Sequence, residues 1–395
     1  DRRGPAILPD ETAPFLIART NQISMESVQE RIATLHAYDD PNPSAPVEQA
    51  AVVVPLAGRD HGTPAAERVF STLEGVGPGR VVVALQSDPG AVGNAVDWLE
   101  SFDLPLTVLW CDAPPVEAAL ADAGLDTDGT GGKGRDVWLA LGLAGDAEYV
   151  VVHDADATTY DHTHVSRLLA PVAAGYGFSK GYYARVEDDR LYGRLCRLFV
   201  VPLVRALAAE HDAGLLSYLS AFRYPLAGEF ATTGDLARQL RVPRGWGLEL
   251  GTLGDVFTQA GFAGTAQVDL GTHEHDHRPV AGQQGLGEMA GEVGRTLFTV
   301  LEAHGISPDY GRLPERYAAV GRRLVEQYAA DAAFNGLDHD AEAERAQVER
   351  YAATITPHSG DSRLPAWCET SVDPGQIADR SAEALAGIGL TPHGR

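Results

Sequence analysis

Short runs of β-branched and other apolar residues alternate with helical stretches between about residues 50 and 155, and this alternation constrains the fold more than any other feature. The apolar runs are "AAVVVPL", "RVVVALQS", "PLTVLWCD" and "EYVVVHD", and stretches such as "TPAAERVFSTLEGV" and "GRDVWLALGLAG" separate them. Apolar strands interleaved with helices are typical of a mostly parallel sheet that is covered on both faces. We therefore predict an α/β fold whose ligands bind beyond the carboxyl ends of the strands.

Two segments of different character flank this pattern. Residues 1–48 combine a helix-like stretch at 24–38 with the Pro-rich "DDPNPSAPVEQ", which is typical of a linker. Beyond residue 283 the chain has helical periodicity, as in "RYAAVGRRLVEQYAADAAF". We expect an N-terminal helical segment with its linker (1–48), a ligand-binding α/β domain (49–282) and a helical C-terminal extension (283–395). The extension could serve a contact between the subunits of a homodimer.

The chain is strongly acidic, with 31 basic and 55 acidic residues and a formal charge of −24. This charge repels nucleic acid phosphates and anionic membranes, so we do not expect nucleic acid as a partner. No apolar run approaches the roughly 18 residues of a membrane span. Three widely spaced cysteines indicate neither a disulfide framework nor a zinc site. These features predict a soluble, cytoplasmic protein without a membrane span.

Lysine occurs only at Lys133 and Lys180, and arginine supplies every other basic residue. An acidic, lysine-poor composition fits a protein that stays soluble in concentrated salt, as in a halophilic host, although a GC-rich genome also favours arginine. Against this background each remaining lysine is a candidate for a function. Both lie beside glycine, in "GGKGRD" and "FSKGYY".

The fourth apolar run ends in "HDADATT", where one small residue separates Asp154 from Asp156. Alternate residues of a strand share a face, so both carboxylates can reach one ligand. Two hard oxygen ligands suit Mg²⁺ or Mn²⁺ bridging to a substrate diphosphate. The same letters fit the Asp-x-Asp-x-Thr pattern of haloacid dehalogenase-like phosphohydrolases, in which the first Asp attacks phosphate. A polar strand end without chemistry is the third interpretation.

Histidines at alternating positions, His273, His275 and His277, follow a further predicted strand in "DLGTHEHDHRP". A neutral imidazole can bind Mn²⁺, although the same letters also fit a polar surface loop. Together with the two aspartates, one histidine completing a metal shell becomes the favoured hypothesis. The glycine-flanked Lys133 lacks the spacing of a phosphate loop, but a lysine before a helix can still contact a diphosphate.

A predicted helix over "RLYGRLCRLFVVPLVRALAAEH" would place Arg190, Arg194 and Arg197 on one face. That face could bind a phosphate or carboxylate by bidentate contacts. Alternatively, the neighbouring Asp188 and Asp189 are simple charge partners of these arginines.

The ordered motifs "PLAG", "LQSD", "GGKG", "DAD", "KGYYAR", "YGRLCRL", "PLAGEFA", "GWGLELG" and "DLGTHEHDHRP" span about residues 50–280. In this order the chain resembles the GT-A glycosyltransferases that make glucosyl-3-phosphoglycerate and mannosyl-3-phosphoglycerate, retaining enzymes that build compatible solutes and polysaccharide primers. The resemblance implies a Rossmann-like GT-A sheet, a Mg²⁺ or Mn²⁺ cofactor, a UDP-glucose or GDP-mannose donor and a small anionic acceptor such as 3-phosphoglycerate. A sugar-nucleotide-binding protein without turnover is the remaining alternative, beside the phosphohydrolase.

The resemblance also implies roles for single residues. The donor would be bound by residues at the strand ends and in the glycine-rich segment: Pro55, Leu56, Ser87, Lys133, Asp154 and Ala155. The metal would be held by Asp156 and His275, the acceptor anion by Gly193 and Arg194, and the hydroxyls of the transferred sugar would face Glu249. Asp156, Glu249 and Arg194 would then be the catalytic residues.

The chain departs from the family pattern at two positions. Arg59 precedes Asp60 where relatives often carry an acidic residue shortly after the proline of the first strand, and Cys196 replaces a hydroxyl residue two positions beyond the acceptor arginine. The first departure puts the base contact in question, and the second puts 3-phosphoglycerate in question as the acceptor.

Overall fold

A computed structural model describes residues 30–125, 132–274, 282–358 and 360–390 of the chain. Within these ranges eight strands form one sheet in the order β1-β10-β6-β9-β5-β2-β3-β4. Their bounds are β1 Ala33–Leu35, β2 Ala50–Ala57, β3 Arg80–Gln86, β4 Leu106–Trp110, β5 Tyr149–Val152, β6 Phe178–Ala184, β9 Phe230–Thr233 and β10 Thr265–Thr272. All neighbours are parallel except β9, which runs antiparallel to β5 and β6. The predicted α/β fold with a mostly parallel sheet is confirmed.

Helices cover the sheet on both faces and continue beyond it. They are α1 Pro64–Val76, α2 Val92–Leu99, α3 Pro114–Asp122, α4 Lys133–Ala144, α5 Thr163–Ala173, α6 Val201–Ala208, α7 Gly214–Leu219, α8 Gly234–Ala237, α9 Leu248–Gln259, α10 Gly282–Ala303, α11 Leu313–Asn335, α12 Ala341–Ala352 and α13 Pro374–Gly387. Because helices cover both faces, the central strands are buried on both sides and consist almost entirely of apolar residues. None of the described helices is long and apolar enough to cross a membrane.

The predicted helix over 190–211 is wrong at its start. Arg190–Leu191 is a strand, β8, which pairs with β7 (Val186–Glu187) in a hairpin. Asp188 and Asp189 close this hairpin with φ of 47° and 56°, the left-handed values that a two-residue turn between strands requires. A π-helical turn at Cys196–Val200 then leads into α6, so Arg190 does not share a helical face with Arg194.

The N-terminal helix prediction over 24–38 is wrong where the structure describes it. Ala33–Leu35 forms the edge strand β1 and pairs in parallel with β10, with Ala33 opposite Ala266. The helical periodicity of this short piece is overridden by the pairing that β10 offers, since secondary structure in short segments follows tertiary context.

The C-terminal helices pack back onto the α/β domain. Helix α13 contacts α3 and β4, and the Ser381 hydroxyl accepts a hydrogen bond of 2.8 Å from the backbone N–H of Trp110. Trp367 stacks on Trp138 of α4 with 4.1 Å between ring centroids. Gly142 allows this contact, because a Cβ at that position would lie 2.2 Å from the Trp367 ring. The extension therefore shares a core with the sheet.

Candidate functional site

The carboxyl ends of β2 and β3 meet beside Ser87. Pro55 and Leu56 of β2 pair with Ala84 and Leu85 of β3, and Ser87 directly follows β3. The two strand ends approach closely, since a Cβ on Gly58 would lie 2.3 Å from the Ser87 hydroxyl oxygen. The structure therefore brings together the three residues predicted to border the nucleotide.

The "DAD" triplet follows the next strand of the same edge, β5. Burial alternates through it: His153 and Ala155 are buried, Asp154 is half-buried and Asp156 is exposed. This alternation fits the prediction that the two carboxylates face the same way, toward the opening. A Cβ on Gly228 would lie 2.6 Å from Asp154 Oδ2, so the backbone before β9 forms the back wall of this carboxylate.

Lys133 begins helix α4 and reaches Asp154 across the sheet edge, with 2.6 Å between Lys133 Nζ and Asp154 Oδ1. The position of the helix start depends on its glycines, because Gly134 lies against the backbone of the following segment. A Cβ at Gly134 would be only 1.8 Å from the Pro243 carbonyl oxygen. The glycine-rich "GGKG" therefore holds a lysine next to the aspartates, although it lacks the spacing of a phosphate loop.

The charges around Lys133 form one electrostatic cluster. Burial on its own lowers the pKa of Lys133, but the carboxylates of Asp154, Glu249 and Asp156 outweigh it and raise this pKa well above its usual value. Glu249 lies in the first turn of α9, behind Gly247, whose φ of 106° turns the chain into the helix. The structure thus brings together the predicted donor lysine, both aspartates and the predicted sugar-binding glutamate.

The end of β10 lies against the residues that follow Asp156. Thr158 donates a backbone hydrogen bond of 2.9 Å to the Glu274 carbonyl, and Glu274 N–H donates to the Thr159 hydroxyl at 3.3 Å. A register irregularity between Asp269 and Thr272, of the kind that redirects a strand end, precedes this contact. His275, the predicted metal ligand, lies outside the described residues, directly after Glu274.

His273 is placed differently from a free metal ligand. It is buried, and its ring stacks on Tyr183 with 4.1 Å between centroids. Its Nε2 lies 3.9 Å from Glu229 Oε1. Within the described ranges no cluster of three histidine, cysteine or acidic side chains is arranged to hold a metal ion.

The predicted acceptor residues lie at the edge of a cavity of about 290 Å³. Gly193 has φ of 72° and packs against Tyr224, while the exposed Arg194 side chain lines the cavity. The hairpin β7–β8 forms one wall, and the loop between α11 and α12 with the start of α12 forms the other. The wall residues beside Arg194 are Arg190, Leu191, Tyr192, Asp338, His339, Asp340, Ala343 and Glu344.

The other two arginines of the predicted anion-binding face have partners in the C-terminal extension. Arg197 forms a salt bridge of 2.6 Å with Glu344, and Arg190 lies 3.8 Å from Asp338. These partners differ from the neighbouring aspartates that the alternative interpretation named. Arg194 therefore stays the predicted acceptor ligand among the three arginines.

No protein family model matches the chain. Two relatives of established name do match over most of its length. The glucosyl-3-phosphoglycerate synthase of Methanococcoides burtonii is 34% identical over 364 residues, which cover 86% of this chain and 90% of the relative. The chain belongs to the glucosyl-3-phosphoglycerate synthase family. The synthase of Persephonella marina is 33% identical over 311 residues, covering 73% of this chain and 77% of the relative.

Solved structures of the glucosyl-3-phosphoglycerate synthase family share the fold. The Mycobacterium tuberculosis synthase, crystallised with Mn²⁺, UDP-glucose and phosphoglyceric acid, superposes with a TM-score of 0.52 at 24% identity. The match covers 70% of this chain and 89% of that one. A crystal structure of the same enzyme with Mg²⁺ and UDP gives a TM-score of 0.51 at 23% identity. The predicted GT-A fold is therefore confirmed. Membership of the synthase family favours the glycosyltransferase interpretation of "DADAT" over the phosphohydrolase.

The two departures from the pattern of this synthase family have structural counterparts. Arg59 is exposed, and its Nε lies 3.9 Å from Asp60 Oδ1. Cys196 is buried, and burial raises the pKa of its thiol to about 12. A buried neutral thiol offers no ligand to a phosphate, so an acceptor anion at the predicted Gly193–Arg194 site would depend on other groups.

Sequence reasoning assigned no role to Lys180 or Glu229. Lys180 drew notice as one of two lysines, but the motif around it indicates no ligand. Glu229 lies inside "PLAGEFA", and only the antiparallel insertion of β9 between β5 and β6 brings it to the ligand edge of the sheet. A strand that reverses direction cannot be recognised from local alternation, because its residues have the same period as those of a parallel strand.

Proposed function

We propose that this chain transfers glucose from UDP-glucose to 3-phosphoglycerate, with retention of the anomeric configuration and with Mn²⁺ or Mg²⁺ as cofactor. The observation that carries the proposal is the Lys133–Asp154 pair, held at the ends of α4 and β5 within electrostatic reach of Asp156 and Glu249. Membership of the synthase family, whose curated members carry the name of this reaction, supports the choice of donor and acceptor.

A divalent cation fits the charge of this site. Two lysines, Lys133 and Lys180, interact electrostatically with four carboxylates, so the cluster has a formal charge of −2. Asp156 is exposed. The hydrogen bonds of Glu274 to residues 158–159 bring the chain that precedes His275 next to the segment that follows Asp156. Asp156 and His275 would hold the metal, which when bound would supply positive charge to the departing diphosphate.

The donor would lie along the strand ends from β2 to β5. Pro55, Leu56 and Ser87 border the proposed base pocket, while Asp154 and Ala155 follow the ribose and diphosphate. Lys133 would donate charged hydrogen bonds to the diphosphate. The same ammonium also pairs with Asp154. Glu249 would accept hydrogen bonds from the hydroxyls of the transferred glucose and fix the orientation of its anomeric carbon.

The acceptor would bind at Gly193 and Arg194, with its charged groups on the Arg194 guanidinium. Because the family resemblance implies retention, we propose that the acceptor hydroxyl attacks the anomeric carbon from the face that the diphosphate leaves. The departing phosphate oxygen would take the hydroxyl proton. In this scheme, Asp156, Glu249 and Arg194 are the residues on which turnover depends most.

A screen of donors against acceptors tests this proposal. UDP-glucose and GDP-mannose are each incubated with 3-phosphoglycerate and other small anionic acceptors, with Mn²⁺ and with Mg²⁺, and nucleoside diphosphate release is measured. We expect UDP release that requires UDP-glucose, 3-phosphoglycerate and metal together. GDP release from GDP-mannose, without UDP release from UDP-glucose, would overturn the proposed donor. Binding of UDP without turnover for every acceptor would overturn the proposed reaction.

Variants of two aspartates provide a matched comparison for the metal site. Asp156→Asn should abolish metal-dependent turnover, and His275→Ala should weaken the apparent metal affinity. Asp146→Asn removes a carboxylate that is exposed and paired with Arg80 outside the site, and it should leave turnover unchanged. Unaltered metal dependence in His275→Ala would refute the metal assignment.

The acidic composition supports a proposal about the cell. We infer that the enzyme works in the cytoplasm of a cell with high internal salt, where its two proposed substrates are metabolites and its product is a precursor of a compatible solute. The formal charge of −24 is then screened by cations. Raising KCl from about 0.1 M to about 2 M should increase the free energy of unfolding, and a decrease would contradict this inference. A homodimer stays a prediction, to be measured by light scattering.

A further inference from the structure

Lys180 is a fully buried cation in the middle of the sheet. It belongs to β6, opposite Phe230 of β9 and Gln267 of β10, and only 1% of its surface is exposed. Its ammonium donates a hydrogen bond of 2.5 Å to the backbone carbonyl of Ala227. A lysine in such a place is rare, because burying an ammonium costs hydration free energy that its surroundings must offset.

The backbone that Lys180 holds is also the back wall of the donor site. Residues 227–229 lead into β9, and Gly228 lies against the Asp154 carboxylate, so closely that a Cβ there would be 2.6 Å from Oδ2. The N–H of Gly181, next to Lys180, donates to the Glu229 carbonyl at 2.9 Å. Two successive residues of β6 therefore fix both ends of the segment that contacts Asp154.

The charged groups around Lys180 are those of the proposed site. Glu249 of α9, Glu229 before β9 and Asp154 after β5 attract its charge, while Lys133 of α4 opposes it. Burial has the larger effect, so the pKa of Lys180 falls to about 8 in spite of these carboxylates. The protein therefore keeps a costly cation against a backbone segment that the Gly181–Glu229 hydrogen bond holds at its other end, which points to a role in function.

We propose that Lys180 is a positioning residue for glucosyl transfer: its ammonium holds residues 227–229 against Asp154 and balances the carboxylates of Glu229 and Glu249 beneath the transferred sugar. It touches neither donor nor acceptor, and acts through the orientation of Asp154 and Glu249. This inference rests on the proposed function for its kinetic consequences. Its electrostatic basis is independent of turnover and is tested separately.

The two lysines of the chain allow a direct test of the electrostatic basis. Lysine labelled with ¹³C at the ε carbon gives two side-chain signals in the folded protein, and Lys180→Met removes the signal of Lys180. We expect this signal to titrate near pH 8, and to report slow exchange of the ammonium with solvent because the group is buried. Titration at about pH 10.4, the value of a solvent-exposed lysine, would overturn the proposal whether or not the enzyme turns over.

Steady-state kinetics test the positioning role. In Lys180→Met we expect kcat to fall about 10- to 100-fold, since a displaced Asp154 and Glu249 misalign the reacting groups, while the Kd of UDP changes less than about 3-fold. The pH profile of kcat should show a fall above pH 8 in the wild type, and this fall should be absent in Lys180→Met.

Arg167→Met is the matched control. Arg167 is also buried and donates a hydrogen bond of 2.8 Å to the backbone carbonyl of Pro41, but it lies outside the site.

A second substitution separates charge from folding. Lys180→Arg keeps the cation and its hydrogen-bond donors, and should retain more of the wild-type kcat than Lys180→Met does. The proposal fails if kcat in Lys180→Met stays within about 3-fold of wild type, or if Arg167→Met loses as much. Absence of wild-type turnover with UDP-glucose and 3-phosphoglycerate would refute the proposed function instead, and the lysine titration would still decide the state of Lys180.

Discussion

Replacing Lys180 by methionine should lower the activity without lowering the stability of the protein at pH 7. The reason is that burial makes the charge of this lysine unfavourable in the folded protein. Its pKa falls from the usual 10.5 to about 8 in the folded protein. At 1.36 kcal/mol for each unit of pKa, the protonated lysine costs about 3 kcal/mol of folding free energy at pH 7. Lys180→Met removes this cost and leaves the Ala227 carbonyl without its partner, which costs about 1–3 kcal/mol.

The balance of these two terms predicts that Lys180→Met is at least as stable as the wild type at pH 7. The sign of the pH dependence follows from the lowered pKa. The unfolded chain binds more protons at this lysine than the folded one between about pH 8 and 10.5, so the wild-type protein gains stability as the pH rises through that window. From pH 7 to pH 9.5 the wild type should gain about 2 kcal/mol relative to the variant.

Urea unfolding of both proteins at pH 7 and pH 9.5 measures this difference, since all other titrating groups are common to the two chains. A loss of about 3 kcal/mol or more in Lys180→Met at pH 7, with no change of the difference at pH 9.5, would refute the reasoning. Lys180 would then be an ordinary stabilising residue of the sheet. Any loss of activity in Lys180→Met would follow from the lost stability and would need no positioning role.

Three further substitutions test the site. Lys133→Met should weaken UDP binding about 10- to 100-fold in calorimetric titration, because the diphosphate loses a charged donor, and an unchanged Kd would place the diphosphate elsewhere. Gly134→Ala should lower the free energy of unfolding by about 1–3 kcal/mol, because its Cβ would meet the Pro243 carbonyl. The control Gly75→Ala, in α1 with open space around it, should not lower the free energy of unfolding. Equal effects of the two substitutions would contradict the close approach of Gly134 to Pro243. Arg194→Met should raise the KM for 3-phosphoglycerate about 10-fold or more and leave the Kd of UDP unchanged, and a normal acceptor KM would remove Arg194 from the acceptor site.

The sequence predicted those parts of the fold that depend on local patterns. The strands β2, β3, β4 and β5 lie where the apolar runs are, and helices α1 and α4 begin and end within about two residues of their predicted stretches. These elements have strong periodicity and clear end signals, such as Thr63 capping α1 and Gly77 ending it with φ of 68°.

Elements that depend on partners distant in sequence were predicted incorrectly or not at all. β1 is three residues long and forms because β10 offers an edge, and β9 reverses direction between two parallel strands. The hairpin at Arg190 depends on two aspartates in left-handed conformation, which few residues adopt and which the helical periodicity around them conceals.

The candidate site divides in the same way. Lys133, Asp154 and Glu249 come together as the family resemblance implied, because each follows a recognisable strand end or lies in the first turn of a helix. The role of Lys180 depends on a contact 47 residues away in sequence, to Ala227, and no motif encodes it. His275 is a prediction that the described residues support only through its neighbour Glu274.

The most direct test of glucosyl transfer is a time course by NMR of the protein with UDP-glucose, 3-phosphoglycerate and Mn²⁺. We predict that one UDP appears for each glucosyl-3-phosphoglycerate formed, that the new anomeric proton has the coupling of an α-glucoside, and that neither product forms when the acceptor is omitted. A β-glucoside, or glucose released from UDP-glucose at the same rate with and without 3-phosphoglycerate, would contradict retaining transfer to this acceptor.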